Sequence, residues 1–256
     1  MTTARWPERL WLVRHGQSAG NVARDLAHAA GQHRIPLNLR DVDVPLSGLG
    51  ERQADALGRW FAQGLGGGVP DVILCSPYVR ARDTARRFCD AGGAHAEEAI
   101  CGDERLREKE FGILDGLTTA GIVAEEPRQA EFRQLLGKFY HRPPGGESWC
   151  DVIFRLRSLL DTVSLHHGGR KVMIVAHQVV VLCLRYVIEN LSEEEILAID
   201  RQGDVANCSV TEYAYDPAVG QDGGLVLVRY NVTSPVDEDP QAEVTHEPDA
   251  MVGARG

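Results

Sequence analysis

Arg14, His15, Gly16 and Ser18 stand within five residues of one another, directly after the apolar run Leu10 to Val13. A guanidinium and an imidazole side by side, with a hydroxyl just beyond, suit a phosphate. The apolar run reads as a strand, and in an open α/β sheet ligands bind beyond the carboxyl ends of strands. Gly16 lets the turn bend tightly. Ser18 is placed to cap a following helix, whose amino end adds backbone N–H donors and a positive dipole.

Four further pieces extend this beginning. Ser76-Pro77-Tyr78-Val79-Arg80-Ala81 follows a strand ending at Cys75, and Glu108 lies in Leu106-Arg107-Glu108-Lys109-Glu110-Phe111-Gly112. His177 closes Val175-Ala176-His177 at another strand end, and Gly145-Gly146-Glu147-Ser148 precedes a long helix. Taken singly, each residue has a plain reading: a core histidine, a solvated arginine, a surface glutamate. Their order and context argue against coincidence. The set resembles the histidine phosphatase superfamily, the phosphoglycerate-mutase-like enzymes, whose signature is Arg-His-Gly-x-Ser. The resemblance runs from about Trp11 to Tyr215. It implies that Arg80 is the second phosphate-binding arginine, Glu108 the proton donor and His177 the second histidine. Asn21 completes the motif as a phosphate ligand or as a polar residue of the first helix.

The chemistry that follows needs these residue types. His15 would attack phosphorus through a ring nitrogen and must be neutral. Arg14 and Arg80 disfavour imidazolium, and a hydrogen bond from the other ring nitrogen to a backbone carbonyl would fix the tautomer. Arg14, Arg80 and a donor from His177 would neutralise the transferring group. A guanidinium fork does this better than lysine. Glu108, with a raised pKa, would protonate the leaving alkoxide, and water would then cleave phospho-His15. No cofactor and no metal is required, and no histidine shows zinc-ligand spacing.

Finer features point to substrate. Gln178 after His177, and the run Phe139 to Ser148, resemble the fructose-2,6-bisphosphatase branch, which implies that Arg142 binds a distal anionic group. Phe139–Ser148 with Gly203–Cys208 is equally similar to a little-characterised phosphoglycerate-mutase-like group of plants and fungi. The substrate-binding set is then Arg14, Ser18, Asn21, Arg80, Arg142 and Gln178. His141 and Lys138 read as more often exposed than substrate-touching. His28, His33, His95, His166, His167 and His246 read as surface.

The elements that must position these residues are legible from apolar pattern. Strands are expected at Leu10–Val13, Val72–Leu74, Val172–Ala176, Ser209–Tyr213 and Leu225–Tyr230, the last two as an edge hairpin. Helices are expected from Ser47 to the glycine run at Gly64, from Pro77 to Phe88, from Glu147 to His166 and from Val179 to Glu189. Alternation of the two predicts a three-layer α/β/α sandwich, with a mainly parallel sheet and an antiparallel edge strand. Val22–Pro45 and Gly112–Gly145 are less regular and are expected to enclose substrate.

The chain of 256 residues is 43% hydrophobic and carries a net charge of −10, enough for one large core. That charge excludes wholesale nucleic-acid binding, so the phosphate site must be a local basic pocket. No apolar run reaches membrane-spanning length and no signal peptide is evident. Six cysteines without zinc spacing read mostly as buried free thiols and point to the cytoplasm. Residues 1–233 are expected to form the catalytic domain. Residues 234–256, with six acidic residues and no Lys or Arg between Asp237 and Asp249, are expected to be a disordered tail whose removal changes little. The expected function is a metal-independent, vanadate-sensitive phosphomonoesterase acting on a small phosphorylated metabolite through phosphohistidine. A cofactor-dependent phosphoglycerate mutase, a protein phosphatase and a non-catalytic phospho-ligand module remain alternatives. The mutases that the chain resembles carry paired arginines between the acid and the Gly-Glu-Ser, whereas Arg128, Arg133, Lys138 and Arg142 are scattered here, which the resemblance implies favours hydrolysis over transfer. The oligomeric state is open.

Overall fold

The computed structural model describes residues 5–94 and 100–245. Six strands form one sheet: β1 (Arg9–Arg14), β2 (Val72–Cys75), β3 (Ile100–Gly102), β4 (Lys171–Ala176), β5 (Val210–Asp216) and β6 (Gly224–Val232). Their spatial order is β3-β2-β4-β1-β5-β6. The first four are parallel, and β5 and β6 complete the sheet as an antiparallel hairpin. The expected hairpin and mixed sheet are thus found. The three-residue strand β3 carries too little pattern to be seen in the sequence.

Side-chain alternation along the strands divides the core in two. Leu10, Leu12, Val72, Leu74, Val172 and Ile174 pack on one face against α6 (Trp149–His166) and α7 (Gln178–Ile188). Trp11, Val13, Ile73, Cys75, Met173 and Val175 pack on the other against α2 (Gly48–Ala62) and α3 (Val79–Asp90). Phe61 of α2 sits edge-on between Trp11 and Phe88, with ring centroids 5.5 and 5.1 Å away. Each fully buried side chain of this size contributes about 1.5–3 kcal/mol, so the two faces hold the sheet rigid beneath the site.

The helices start where polar caps stand. Ser18 caps α1 (Ala19–Ala29), Ser47 caps α2 and Ser148 caps α6, each accepting from the backbone N–H three residues on. Pro77 is not in the first turn of α3 as expected. Tyr78, in extended conformation, is the cap residue, and Pro77 lies one residue before it. In the chain, α4 (Thr119–Glu125) and α5 (Pro127–Tyr140) lie between β3 and α6, and α8 (Glu193–Gln202) follows α7.

The expectation of a free tail from Ser234 is corrected as far as Thr245. A short helix, α9 (Ser234–Asp237), buries Val236 against the α2–α3 face. Arg59 of α2 then pairs with Asp239 at 2.6 Å, and Arg52 Nε donates to the Gln241 carbonyl at 2.7 Å. This packing has no periodic apolar stripe, which is why it left no pattern in the sequence. Residues 246–256, with His246, and His95 lie outside the described residues. No helix among the described residues is long and apolar enough to cross a membrane. All six cysteines are free, four of them buried.

Candidate active site

Register brings the site together. Arg14 lies opposite Ala176 and Cys75 opposite Val175, so β1, β2 and β4 end at one level. His15, Ser76 and His177 therefore emerge side by side. His15 N donates to the Ala176 carbonyl at 3.0 Å, and the imidazoles of His15 and His177 stand 5.1 Å apart. The turn at Gly16 is crossed by α2 at contact distance. A Cβ on Gly50 would lie 1.9 Å from the Gln17 carbonyl oxygen, so only glycine fits there.

His15 is held with one ring nitrogen protonated and the other free of hydrogen. Its Nδ1 lies 2.6 Å from the Gly16 carbonyl oxygen, which can only accept, so Nδ1 carries the proton. Nε2 keeps its lone pair and accepts from Arg80 Nε at 3.3 Å. Burial first, then the charges of Arg80 and Arg14, hold its pKa well below the usual 6.5. His177 is fully buried and shifted the same way, chiefly by desolvation. Its Nε2 shares a hydrogen with Ser76 Oγ at 2.8 Å, while Nδ1 has no hydrogen-bond partner among the described residues.

Arg14 is 2% exposed. A turn at Val205–Cys208 wraps it: Arg14 Nη1 donates to the Val205 carbonyl, and Cys208 N donates to the Arg14 carbonyl at 3.0 Å. Cys208 takes φ 55° to make that contact, a left-handed conformation rare for a side chain of this kind. Asn207 Nδ2 donates to the His15 carbonyl at 2.8 Å.

Glu108 is raised to about 7, mainly by desolvation and against a hydrogen bond from Lys109 N. The Gly-Glu-Ser motif explains how it is placed. Glu147 accepts from Arg155 Nε at 3.0 Å, from Arg107 Nη2 at 2.8 Å and from Glu110 N at 3.1 Å. Arg155, nine-tenths buried on α6, also donates to the Arg105 and Glu108 carbonyls. Gly112 takes φ +57° where a Cβ would strike the Pro144 carbonyl at 2.1 Å. The motif therefore acts by stapling the Glu108 segment to α6.

A cavity of about 1570 Å³ opens over these residues. Arg14, His15, Ser18, Asn21, Arg80, Glu108 and Gln178 all line it. Ser18 and Asn21 form a capping box, with Asn21 Oδ1 accepting from Ser18 N at 2.9 Å. Gln178 Nε2 donates to Asp204 Oδ1 at 2.8 Å. The two irregular segments close the cavity as expected, through Ile35, Leu37 and Asp41 on one side and Leu117, Ile122 and Arg133 on the other.

Arg142 is the residue of the expected substrate-binding set that does not line the cavity; His177, fully buried beside His15, is also absent from the lining. The Arg142 side chain is 62% exposed and paired to Asp151 on α6 through Nε at 2.7 Å. The ion pair with the capping aspartate turns it outward. Instead, Lys109, Arg133, Lys138 and His141 line the far wall. His141 is 5% exposed, against the expectation of a surface side chain, and Lys138 is paired with Asp200 at 2.6 Å. Lys109 is 8% exposed, rests on the Phe111 ring at 4.4 Å and makes no ion pair among the described residues. Burial and Arg133 bring its pKa down to about 8. In the sequence its alternating charged neighbours gave it the look of a solvated face.

The model of the histidine phosphatase superfamily, branch 1, matches residues 10–233. The chain belongs to this superfamily. A probable phosphoglycerate mutase GpmB of Yersinia enterocolitica is 28% identical over 232 residues, 90% of this chain and 95% of that protein. The 6-phosphofructo-2-kinase/fructose-2,6-bisphosphatase of Caenorhabditis elegans is 31% identical over 224 residues, 84% of this chain. The matched part is 43% of that longer protein. Among solved structures, mycobacterial glucosyl-3-phosphoglycerate phosphatase with inorganic phosphate superposes with a TM-score of 0.66 at 28% identity, over 90% of this chain and 99% of that one. The chain is thus a histidine phosphatase by family, with phosphatases among its structural neighbours and mutases among its relatives.

Proposed function

We propose that this histidine phosphatase is a phosphomonoesterase that hydrolyses a small phosphorylated metabolite through phospho-His15. The observation that carries the reading is the state of His15: Nδ1 tied to a carbonyl, and Nε2 unprotonated and accepting from Arg80 Nε. In the first step His15 Nε2 bonds to phosphorus as the ester P–O bond breaks. Arg14, Arg80 and His177 carry the charge on the equatorial oxygens. Glu108, protonated near neutrality, gives its proton to the leaving oxygen. In the second step water bonds to phosphorus, its proton passes to Glu108, and the P–N bond breaks. The mechanism calls for no metal, because guanidinium groups supply the charge. The free, mostly buried thiols suit a reducing cytoplasm.

The far wall narrows the substrate. Lys109 is a buried cation facing the cavity without a carboxylate of its own, beside Arg133 and His141. A buried cation is costly unless paired. A substrate with a second anionic group, a carboxylate or another phosphate, would supply the partner. The near full-length similarity to a probable phosphoglycerate mutase favours mutase activity as the second reading.

The experiment is phosphate release from a panel of sugar phosphates, bisphosphates and phosphorylated hydroxy acids, with trapping of acid-labile phosphate on the protein. The expected result is turnover of doubly anionic substrates and label on His15. Turnover unchanged in His15→Ala would refute the reading. Interconversion of monophosphoglycerates far above hydrolysis would replace it with the mutase.

A further inference from the structure

The nucleophile loop is held from behind by two buried amides whose far ends meet on one hydroxyl. Asn207, 2% exposed, donates from Nδ2 to the His15 carbonyl at 2.8 Å. Gln53 of α2, fully buried, accepts at Oε1 from Gln17 N at 2.8 Å. Thr245 joins them. Its Oγ1 donates to Asn207 Oδ1 at 2.9 Å and accepts from Gln53 Nε2 at 2.9 Å. The Thr245 carbonyl accepts from Asn207 N at 3.0 Å, and the Glu243 carbonyl accepts from Gln53 Nε2 at 2.7 Å.

This arrangement determines which way each amide points. A hydroxyl has one hydrogen. Given to Asn207 Oδ1, it leaves the Asn207 NH2 end toward His15. The hydroxyl oxygen, accepting from Gln53 NH2, leaves the Gln53 carbonyl end toward Gln17 N. Were Asn207 reversed, its oxygen would face the His15 carbonyl oxygen. Were Gln53 reversed, its NH2 would face the Gln17 N–H. Thr245, with the Glu243 carbonyl beside it on Gln53 Nε2, thus holds both amides in the orientation that grips the loop. The hydroxyl sits at the end of a segment anchored by Val236 in the core and Asp239 on Arg59.

We propose that the C-terminal segment through Thr245 is a brace for the nucleophile. Thr245 is a positioning residue that fixes the His15–Gln17 backbone through Asn207 and Gln53. This inference rests on the phosphatase reading for its effect on turnover, but not for its effect on the loop itself.

The test compares full-length Thr245→Val, which keeps the shape and loses the hydroxyl, with Thr245→Ser, which keeps the hydroxyl. Turnover of p-nitrophenyl phosphate is measured well below each melting temperature, with His15→Ala alongside. Exchange of the His15 Nδ1–H is followed by NMR in the same samples. Thr245→Val is expected to lower kcat about tenfold with KM changed less than about twofold, as a misplaced reacting group does. It is also expected to speed exchange of that proton, and Thr245→Ser is expected to restore both. Parent-like kcat and exchange in Thr245→Val would overturn the brace. So would a loss in Thr245→Val that Thr245→Ser shares. If the parent releases no phosphate, or His15→Ala matches it, the phosphatase reading fails, and the exchange measurement alone decides the brace. If Thr245→Val does not fold, Thr245→Ser against Asn207→Asp decides. Asn207→Asp keeps the acceptor for Thr245 and loses the donor to His15, and parent-like exchange in that variant would refute the proposal.

Discussion

Arg80 is closed by Asp41. Arg80 Nη1 donates to the Asp41 carbonyl oxygen at 2.6 Å and Nη2 to Oδ2 at 3.1 Å, while Nε faces His15. The fork proposed to receive a phosphate is therefore occupied by an internal anion from the segment between α1 and α2. The arginine is 6% exposed and the aspartate 43%, so the aspartate is the partner that can withdraw. A phosphoryl group must compete with it for the two Nη groups.

Replacing Asp41 with Asn should sharpen phosphate binding. The competition lost is that of a half-exposed ion pair, up to about 1 kcal/mol, so the inhibition constant for inorganic phosphate should fall roughly threefold to fivefold. Competitive inhibition assays at fixed ionic strength measure it. Weaker phosphate binding in the variant would mean that Asp41 orients Arg80 and does not compete for it.

The role of Glu108 predicts a dependence on the leaving group. Glu108→Gln cannot donate a proton, so turnover of alkyl phosphates should fall on the order of a hundredfold or more. Turnover of p-nitrophenyl phosphate should fall far less, because that leaving group departs without protonation. Equal losses on both substrates would place Glu108 elsewhere in the mechanism.

The pH profile follows from the same two residues. In the proposed mechanism Glu108 must be protonated, and its pKa in the free protein is raised to about 7, so kcat/KM for alkyl phosphates should fall as pH rises through that value. His15 must be neutral, and its pKa is held well below 6.5, so the acidic limb should lie below 6.5. Stability carries a matching sign. A carboxyl raised in the fold contributes most below its unfolded value near 4.5, and that contribution is lost as pH rises through about 7. Glu108→Gln should therefore melt higher than the parent above pH 7, measured by thermal unfolding across pH.

The strand ends, the Ser18 cap and the five residues proposed for catalysis were legible because each sits in a local pattern. An apolar run ends in Arg14-His15, and another ends in Ala176-His177. What the sequence hid is long-range. Asp41 and Arg80 are 39 residues apart with no repeating pattern between them. Asn207 and Thr245 reach His15 and Gln53 across most of the chain. Arg142 misled because its motif is intact, while one ion pair with Asp151 turns the side chain out. His141, next to it, points into the cavity wall and has the burial that Arg142 lacks.

Lys109 should trade stability for recognition. Its pKa, lowered to about 8 by burial, means that at neutral pH the folded state carries a cost for its charge. Lys109→Met should therefore raise the melting temperature at pH 7. The same change should raise KM severalfold for substrates with two anionic groups and leave p-nitrophenyl phosphate nearly untouched. Steady-state kinetics on matched singly and doubly anionic esters separate the two effects. Equal KM changes on both would remove Lys109 from substrate recognition.

Deleting 234–256 should not be silent, although the acidic composition of that stretch suggests it. The deletion removes fully buried Val236, a loss of about 1.5–3 kcal/mol on side-chain burial alone. It also strips Gln53 of its partners at Glu243 and Thr245 inside the core, and a buried amide left unpaired costs about 1–3 kcal/mol more. The melting temperature should fall by roughly ten degrees for a domain of this size. A chain ending at Thr245 keeps every one of these contacts, so it should melt within about two degrees of the full chain, as a change that removes no buried group or cap does. Scanning calorimetry on the two truncations separates the outcomes. Equal stability of the deletion ending at Thr233 and the full chain would show that the segment from Ser234 to Thr245 contributes nothing to the fold.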